Sequence, residues 1–481
     1  MPRSRGDLSG AMTSVIVWRQ SSPRHTAADD YSFMTEAASS ESSRVLGFWT
    51  CTALVVGNVI GTGIILLPAS LAPYGLNALW AWLITMLGCT CLALVFSGLA
   101  RTFPKDDGLY GYTKRAFGPA VTFFVLWCYW FSTWVTNSTI ATGVVGYLSI
   151  LVPGLQKGSW LTPYVALALV WLFVLINCMG IRAAAWMQMF TTALKLLPQL
   201  GIILLGLWQI IVHPAAYTAH VPGNPITFHA VLASSTLALF AMLGIECAMI
   251  PAGKVCDPGR TIPRATIVGT LVTGIISLSV SMIPLLLIPQ AQLASSNSPF
   301  ADLFSQYVGP QYARWLALLI VVGGLGALNG WTLIVGEMTQ SFARHGHFPA
   351  MLGKVNSRQA PAVAFLLTGL LASVMLVLNY NDSLADVFTF LINVVTASNL
   401  PIYLTCCVGV LVLWRRGEIQ SVGRRQLVWL VAAMLGTVYC VWAFAGIGLK
   451  PFLWTFALAA AGVPFWWLSR APHRDTARAA P

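Results

Sequence analysis

Three ionisable residues stand inside long apolar runs of this chain: Lys195, Glu246 and Glu337. Such groups are costly in hydrocarbon, so they face a cavity or a partner. Glu246 can exchange a proton or accept hydrogen bonds that tie helices together. Lys195, in TTALKLLPQ, can substitute for a bound cation or donate a proton, or else it snorkels or pairs with a carboxylate. Glu337 reads as a structural or gating residue. Trp331 sits in mid-run, in GALNGWTLIVGE, where an indole face binds a cation or packs in a core. Asn137, in WVTNSTI, can hydrogen-bond a ligand, and Tyr129 lies two helical turns earlier on roughly the same face. Phe240, one turn or so before Glu246, serves either as a lid or as core. Enzyme signatures are missing: the sequence holds no Walker A motif, no HExxH and no His/Cys/Asp cluster. No metal site and no cofactor are expected.

The elements that must position these residues are two interrupted apolar segments. GNVIGTGIILLP (57–68) carries Gly61-Thr62-Gly63 near its middle, which a lipid-facing helix does not need. Non-helical backbone is tolerated in a membrane only against protein or a water-filled cavity. An unwound centre leaves N–H groups at the start of the second half-helix, suited to a carboxylate. A close-packed glycine face is the alternative. LFAMLGIECAMIP (239–251) repeats the feature, with Gly244 as far before Pro251 as Gly61 is before Pro68. Two interrupted segments in corresponding halves point to a binding site at the midplane of an inverted repeat.

Composition supports a membrane setting. Of 481 residues, 57% are hydrophobic and 9% charged, too apolar for a soluble domain. The chain offers about twelve runs of span length. The expected class is therefore an all-α membrane protein of about twelve transmembrane helices. Ten form a 5+5 inverted repeat with helices 1 and 6 broken, and two are extra. Spans are expected at 46–73, 78–100, 119–148, 161–180, 186–211, 228–252, 265–288, 312–342, 361–379, 385–413, 426–447 and 451–469. A disordered tail, 1–45, precedes a transporter domain, 46–470, and a short tail, 471–481, follows. Met34 is an alternative start. The net charge of +12 does not signal nucleic acid. Its Lys and Arg fall in alternate short loops, which predicts both termini in the cytoplasm. Trp127, Trp130, Trp171, Trp414, Trp454, Trp466 and Trp467 lie near expected span ends and read mostly as interfacial anchors. The ten cysteines show no ligand spacing and read as small buried hydrophobes.

GNVIGTGIILLPASLAPYG, YGYTKRAFGP, YWFSTWVTN, LGIECA and LGALNGWTLIVGE, in this order, resemble the amino acid–polyamine–organocation (APC) superfamily. The branch they resemble is that of the basic amino acid/polyamine antiporters of arginine:agmatine type. The resemblance covers about residues 45–470. It implies a multi-pass inner-membrane exchanger of a cationic amino acid and its decarboxylated amine, with a role in acid resistance. It also implies site roles. Gly61, Thr62 and Gly63 would hold the substrate carboxylate, and carbonyls around Phe240, Ala241 and Leu243 the α-amino group. Trp331 would stack on the distal chain, and Asn137 would lie near the distal nitrogen. Tyr129 would gate, and Glu246 would sense protons. Family members are often homodimers; no motif specifies that here.

The chain also departs from the arginine:agmatine type. Phe240 stands where that type has a tryptophan, Ala241 and Ile392 where it has serines, and Lys195 where it has a small residue. Lys195 instead resembles the lysine of proton-coupled amino acid transporters of the superfamily. Proton-coupled transport of neutral amino acids through Lys195 is therefore the second expectation. A non-transporting amino acid sensor is the third.

Overall fold

The computed structural model describes residues 47–60, 64–103, 108–155, 160–179, 191, 194–246, 257–344, 346–358, 360–378, 383–419 and 423–470. The two tails, 1–45 and 471–481, and Gly61, Thr62 and Gly63 lie outside them.

The chain is a stack of helices, as its apolar runs require. In order they are α1 (Phe48–Val59), α2 (Leu67–Leu71), α3 (Asn77–Thr102), α4 (Gly108–Leu151), α5 (Thr162–Cys178), α6 (Leu196–Val212) and α7 (Ala216–Ala219). The second half holds α8 (Phe228–Phe240), α9 (Pro258–Leu287), α10 (Gln290–Ala294), α11 (Pro299–Tyr307), α12 (Pro310–Arg344) and α13 (Ala362–Leu378). Then come α14 (Leu384–Arg415), α15 (Arg424–Ala445), α16 (Leu449–Ala460) and α17 (Gly462–Arg470). Among the described residues, six helices are long and apolar enough to cross a membrane, and four shorter apolar helices accompany them. Local chemistry sets the ends. Thr227 caps α8 by accepting the Ala230 N–H at 3.3 Å, and Ser383 caps α14 by accepting the Asp386 N–H at 3.2 Å.

Both interrupted segments are interrupted in the structure. α1 leaves helical geometry at Ile60 (ψ 73°), and α2 begins at Leu67, with Pro68 in its first turn. After α8 the chain tightens into turns, the Leu243 N–H reaching only the Phe240 carbonyl, and Gly244 takes φ 105°. Some expected boundaries moved. The stretch before span three is already helical, and α4 runs from Gly108 through a kink at Gly118 (φ 80°) and Pro119. The loop 289–311 contains α10 and α11, and the twelfth span is divided between α16 and α17.

Packing sorts the helices into two groups. One gathers α1, α3, α8 and α9; the other gathers α4, α5, α12, α13 and α14. The second group is tied by side-chain hydrogen bonds between helices. Trp130 Nε1 donates to Thr339 Oγ1 (2.7 Å), Ser138 Oγ to the Ala372 carbonyl (2.9 Å), Trp171 Nε1 to Ser373 Oγ (3.0 Å) and Asn177 Nδ2 to Asn329 Oδ1 (3.0 Å). Small residues let α12 approach α6: a methyl group on Gly323 would lie 2.9 Å from Lys195 Cβ.

Trp127 and Trp130 are not interfacial anchors. Both are buried, and Trp127 Nε1 donates to the Leu458 carbonyl at 2.9 Å. The Phe465 ring of α17 packs against Trp127, with centroids 5.0 Å apart. Position along a hydropathy profile cannot reveal such a cover. Trp414 and Trp467 are exposed, as anchors require. Replacing Trp130 by Phe deletes one inter-helical bond and should lower stability by about 0.6–1 kcal/mol, read as a small fall in thermal midpoint in detergent.

Candidate functional site

Glu246 organises the site. Its side chain is 1% exposed and sits on the turn that follows α8. Three donors converge on its carboxylate from three parts of the chain. Tyr129 on α4 donates its hydroxyl to Oε1 (3.1 Å), Tyr403 on α14 to Oε2 (2.7 Å), and the Gly244 N–H to Oε2 (3.2 Å). The turn supplies the last donor only because Gly244 adopts a positive φ that a side chain resists. Gly244→Ala should therefore cost about 1–3 kcal/mol and loosen the carboxylate, read as lower thermal stability and slower transport.

This cluster spans the interrupted helix and two helices of the second packing group. It can hold them together while Glu246 accepts, and it can let them part when a proton removes one acceptor lone pair. Tyr403 is a site residue that sequence reading missed. The signal was a hydroxyl in the apolar run after Pro401, opposite a buried carboxylate with acceptor capacity to fill.

Lys195 serves the other interrupted segment. It is half-buried at the start of α6, and Nζ donates to the carbonyl of Gly57 in the last turn of α1. A cation is favourable there, because the last carbonyls of a helix carry partial negative charge. Pro198 and Gln199, one turn on, line a small cavity with Lys195 and with Ile64 and Ile65 beyond the break. Gly323→Val should push α6 from α12, displace Lys195 and cost about 1–3 kcal/mol; thermal stability and transport rate report it.

The remaining expected site residues fall into place differently. Asn137 on α4 is buried, and its Oδ1 finds no hydrogen-bond partner among the described residues. Phe240 is buried at the end of α8 and meets Phe388 edge-on, with centroids 6.2 Å apart. Ala241 and Leu243 are buried in the turn, and Ile392 is buried on α14. Trp331 is half-buried on α12. Glu337, on the same helix, is exposed. Gly61, Thr62 and Gly63 lie outside the described residues. Among the described residues, the Tyr147 hydroxyl donates to the Ile65 carbonyl (3.0 Å) and accepts the Phe300 N–H (3.2 Å).

The amino acid permease family matches residues 46–467, nearly the whole helical unit. The chain belongs to this family. It is thus a multi-pass membrane protein of the APC superfamily and a secondary transporter, not an enzyme. Among similar proteins, the cadaverine/lysine antiporter of Escherichia coli K12 is 30% identical over 427 residues, covering 87% of this chain and 93% of that one. The putrescine transporter PotE of Haemophilus influenzae is 29% identical over 420 residues, 86% and 94% of the two chains. A putative arginine/ornithine antiporter of Bacillus subtilis is 31% identical over 407 residues, 79% and 86%. The two interrupted helices, the packing groups on either side and the Glu246 cluster between them are how this member of the permease family builds its centre.

Proposed function

We propose that this permease exchanges a cationic amino acid for a decarboxylated amine by alternating access, with arginine and agmatine as the pair. The observation that carries the reading is Asn137 Oδ1, a buried acceptor without a donor among the described residues. A guanidinium or ammonium supplies the missing N–H, and leaving the acceptor empty is costly. The half-buried indole of Trp331 offers a π face for the same cation. Similarity to proteins named for lysine and cadaverine, putrescine, and arginine and ornithine supports the same ligand chemistry. The unwound glycines 61–63 bind the carboxylate in this reading, and Phe240 and Trp331 close over the chain. Tyr129 and Glu337 gate. The alternation of basic loops supports cytoplasmic termini in an inner-membrane protein, and in this reading the exchange serves acid resistance.

A second reading is favoured by one contact. Lys195 Nζ already satisfies the end of α1, as a coupling cation would, and this supports proton-coupled transport of a neutral amino acid. Competition against bound radiolabelled arginine on purified protein separates the two. Agmatine, lysine and cadaverine should compete, leucine and methionine should not, and Asn137→Leu should weaken arginine binding by about tenfold, or ~1.4 kcal/mol. Competition by leucine or methionine alone would transfer the assignment to the second reading. Binding without flux would identify a sensor.

A further inference from the structure

A second cavity, of about 710 Å³, is lined by none of the Glu246 cluster residues. Its walls come from α4 (Trp127, Trp130, Trp134), α5 (Trp171) and α13 (Leu366, Leu370), and the segment Phe348–Leu352 and Phe465 close one end. The lining is almost wholly apolar. Leu366 and Leu370 are 43% and 53% exposed, so the groove opens sideways between spans, toward the hydrocarbon of the bilayer. A soluble protein rarely leaves such a patch open, and in a membrane its natural occupant is a lipid chain.

The closed end carries charge. The segment after α12 reads Arg344 to Arg358, and its exposed Arg344, Lys354 and Arg358 follow or precede the very residues that cap the groove. A methyl group on Gly353, next to Lys354, would lie 3.7 Å from the Arg344 backbone N, so Arg344 and Lys354 stand on neighbouring stretches of chain, and Arg358 follows four residues after Lys354. No Asp or Glu lies between Arg344 and Arg358 to neutralise them. Basic pockets between transmembrane helices at a membrane surface bind anionic headgroups.

We propose that this groove is a binding site for an anionic phospholipid. One acyl chain lies along Trp127, Trp130 and Trp134, and the phosphate sits at Arg344, Lys354 and Arg358. The walls on α4, α5 and α13 belong to the second packing group, and Leu458, Ala461, Phe465 and the closing segment complete the lining. A bound lipid therefore braces that group through residues other than those proposed to bind substrate, and the proposal stands whether the substrate is cationic or neutral.

The test uses the full chain in nanodiscs with a phosphatidylglycerol bearing a photoactivatable acyl chain. Expected are cross-links concentrated on 127–134 and 363–371, competed by unlabelled phosphatidylglycerol and not by phosphatidylcholine. Lys354→Gln and Arg358→Gln, both surface changes, should each reduce labelling about fivefold. Leu367→Trp, which fills the groove, should abolish it, and an unchanged thermal midpoint would show that the variants fold. Even labelling of every lipid-facing helix, or labelling indifferent to headgroup charge, overturns the proposal. So does a cross-link between two copies of the chain through this face, which would make the groove a dimer interface.

Discussion

Glu246→Leu should leave a protein that barely assembles and does not transport. Leucine cannot accept from Tyr129, Tyr403 or the Gly244 N–H, all of which the carboxylate now satisfies. Each buried donor left without an acceptor costs roughly 1–3 kcal/mol, so the two phenols together take about 2–6 kcal/mol. That is a large part of a typical margin of stability. The thermal midpoint in detergent should fall steeply. Tyr403→Phe in the Leu background should recover part of the loss, because it removes one of the orphans. Glu246→Gln is the informative partner. It keeps an acceptor and the shape, so the protein should fold. It cannot exchange a proton, so transport that remains should lose its dependence on pH between about 5 and 8, the range in which most such switches act. A Gln variant with the wild-type pH profile would show that Glu246 is a structural tie.

Lys195→Met should have the second-largest effect, and on rate more than on folding. The ammonium holds the end of α1 through the Gly57 carbonyl. A charge-assisted hydrogen bond of this kind contributes about 1.5–3 kcal/mol. If α1 moves relative to α6 during the cycle, the contact favours one state over the other by that amount. Its loss then shifts the equilibrium between states by roughly tenfold to a hundredfold, and exchange slows accordingly. Lys195→Arg keeps the charge but needs more room than Gly323 on α12 leaves, so it should rescue only in part. Exchange rates of the three proteins, with a labelled cysteine on α1 reporting its position, check this. A Met variant with normal exchange would mean that Lys195 is a packing residue with a satisfied head.

Much of this architecture could be read from residue types. The glycines at 57–63 and 244, each before a proline, announced two broken helices, and the structure breaks the chain at Ile60 and after Phe240. Lys195 and Glu246 stood out because few charges interrupt the apolar runs, and each has a partner in the fold. What stayed hidden was the cover supplied by distant segments. Trp127 looked like a span end because α17, more than three hundred residues later, is what buries it. Tyr403 looked like any aromatic residue of a span until α14 packed it against Glu246. Glu337 shared the hydropathy signature of Glu246, yet a helix has two faces, and its face is the exposed one. Periodicity assigns residues to faces; only packing decides which face meets the site.

The most direct test of the central claim is uptake of radiolabelled arginine into proteoliposomes of the purified protein. The vesicles would be preloaded with agmatine, with arginine or with buffer alone, at acidic and neutral pH. Rapid uptake is expected into both loaded sets and almost none into the empty set. Uptake into empty vesicles driven by a pH gradient, or no arginine flux while leucine or methionine enters, would contradict it.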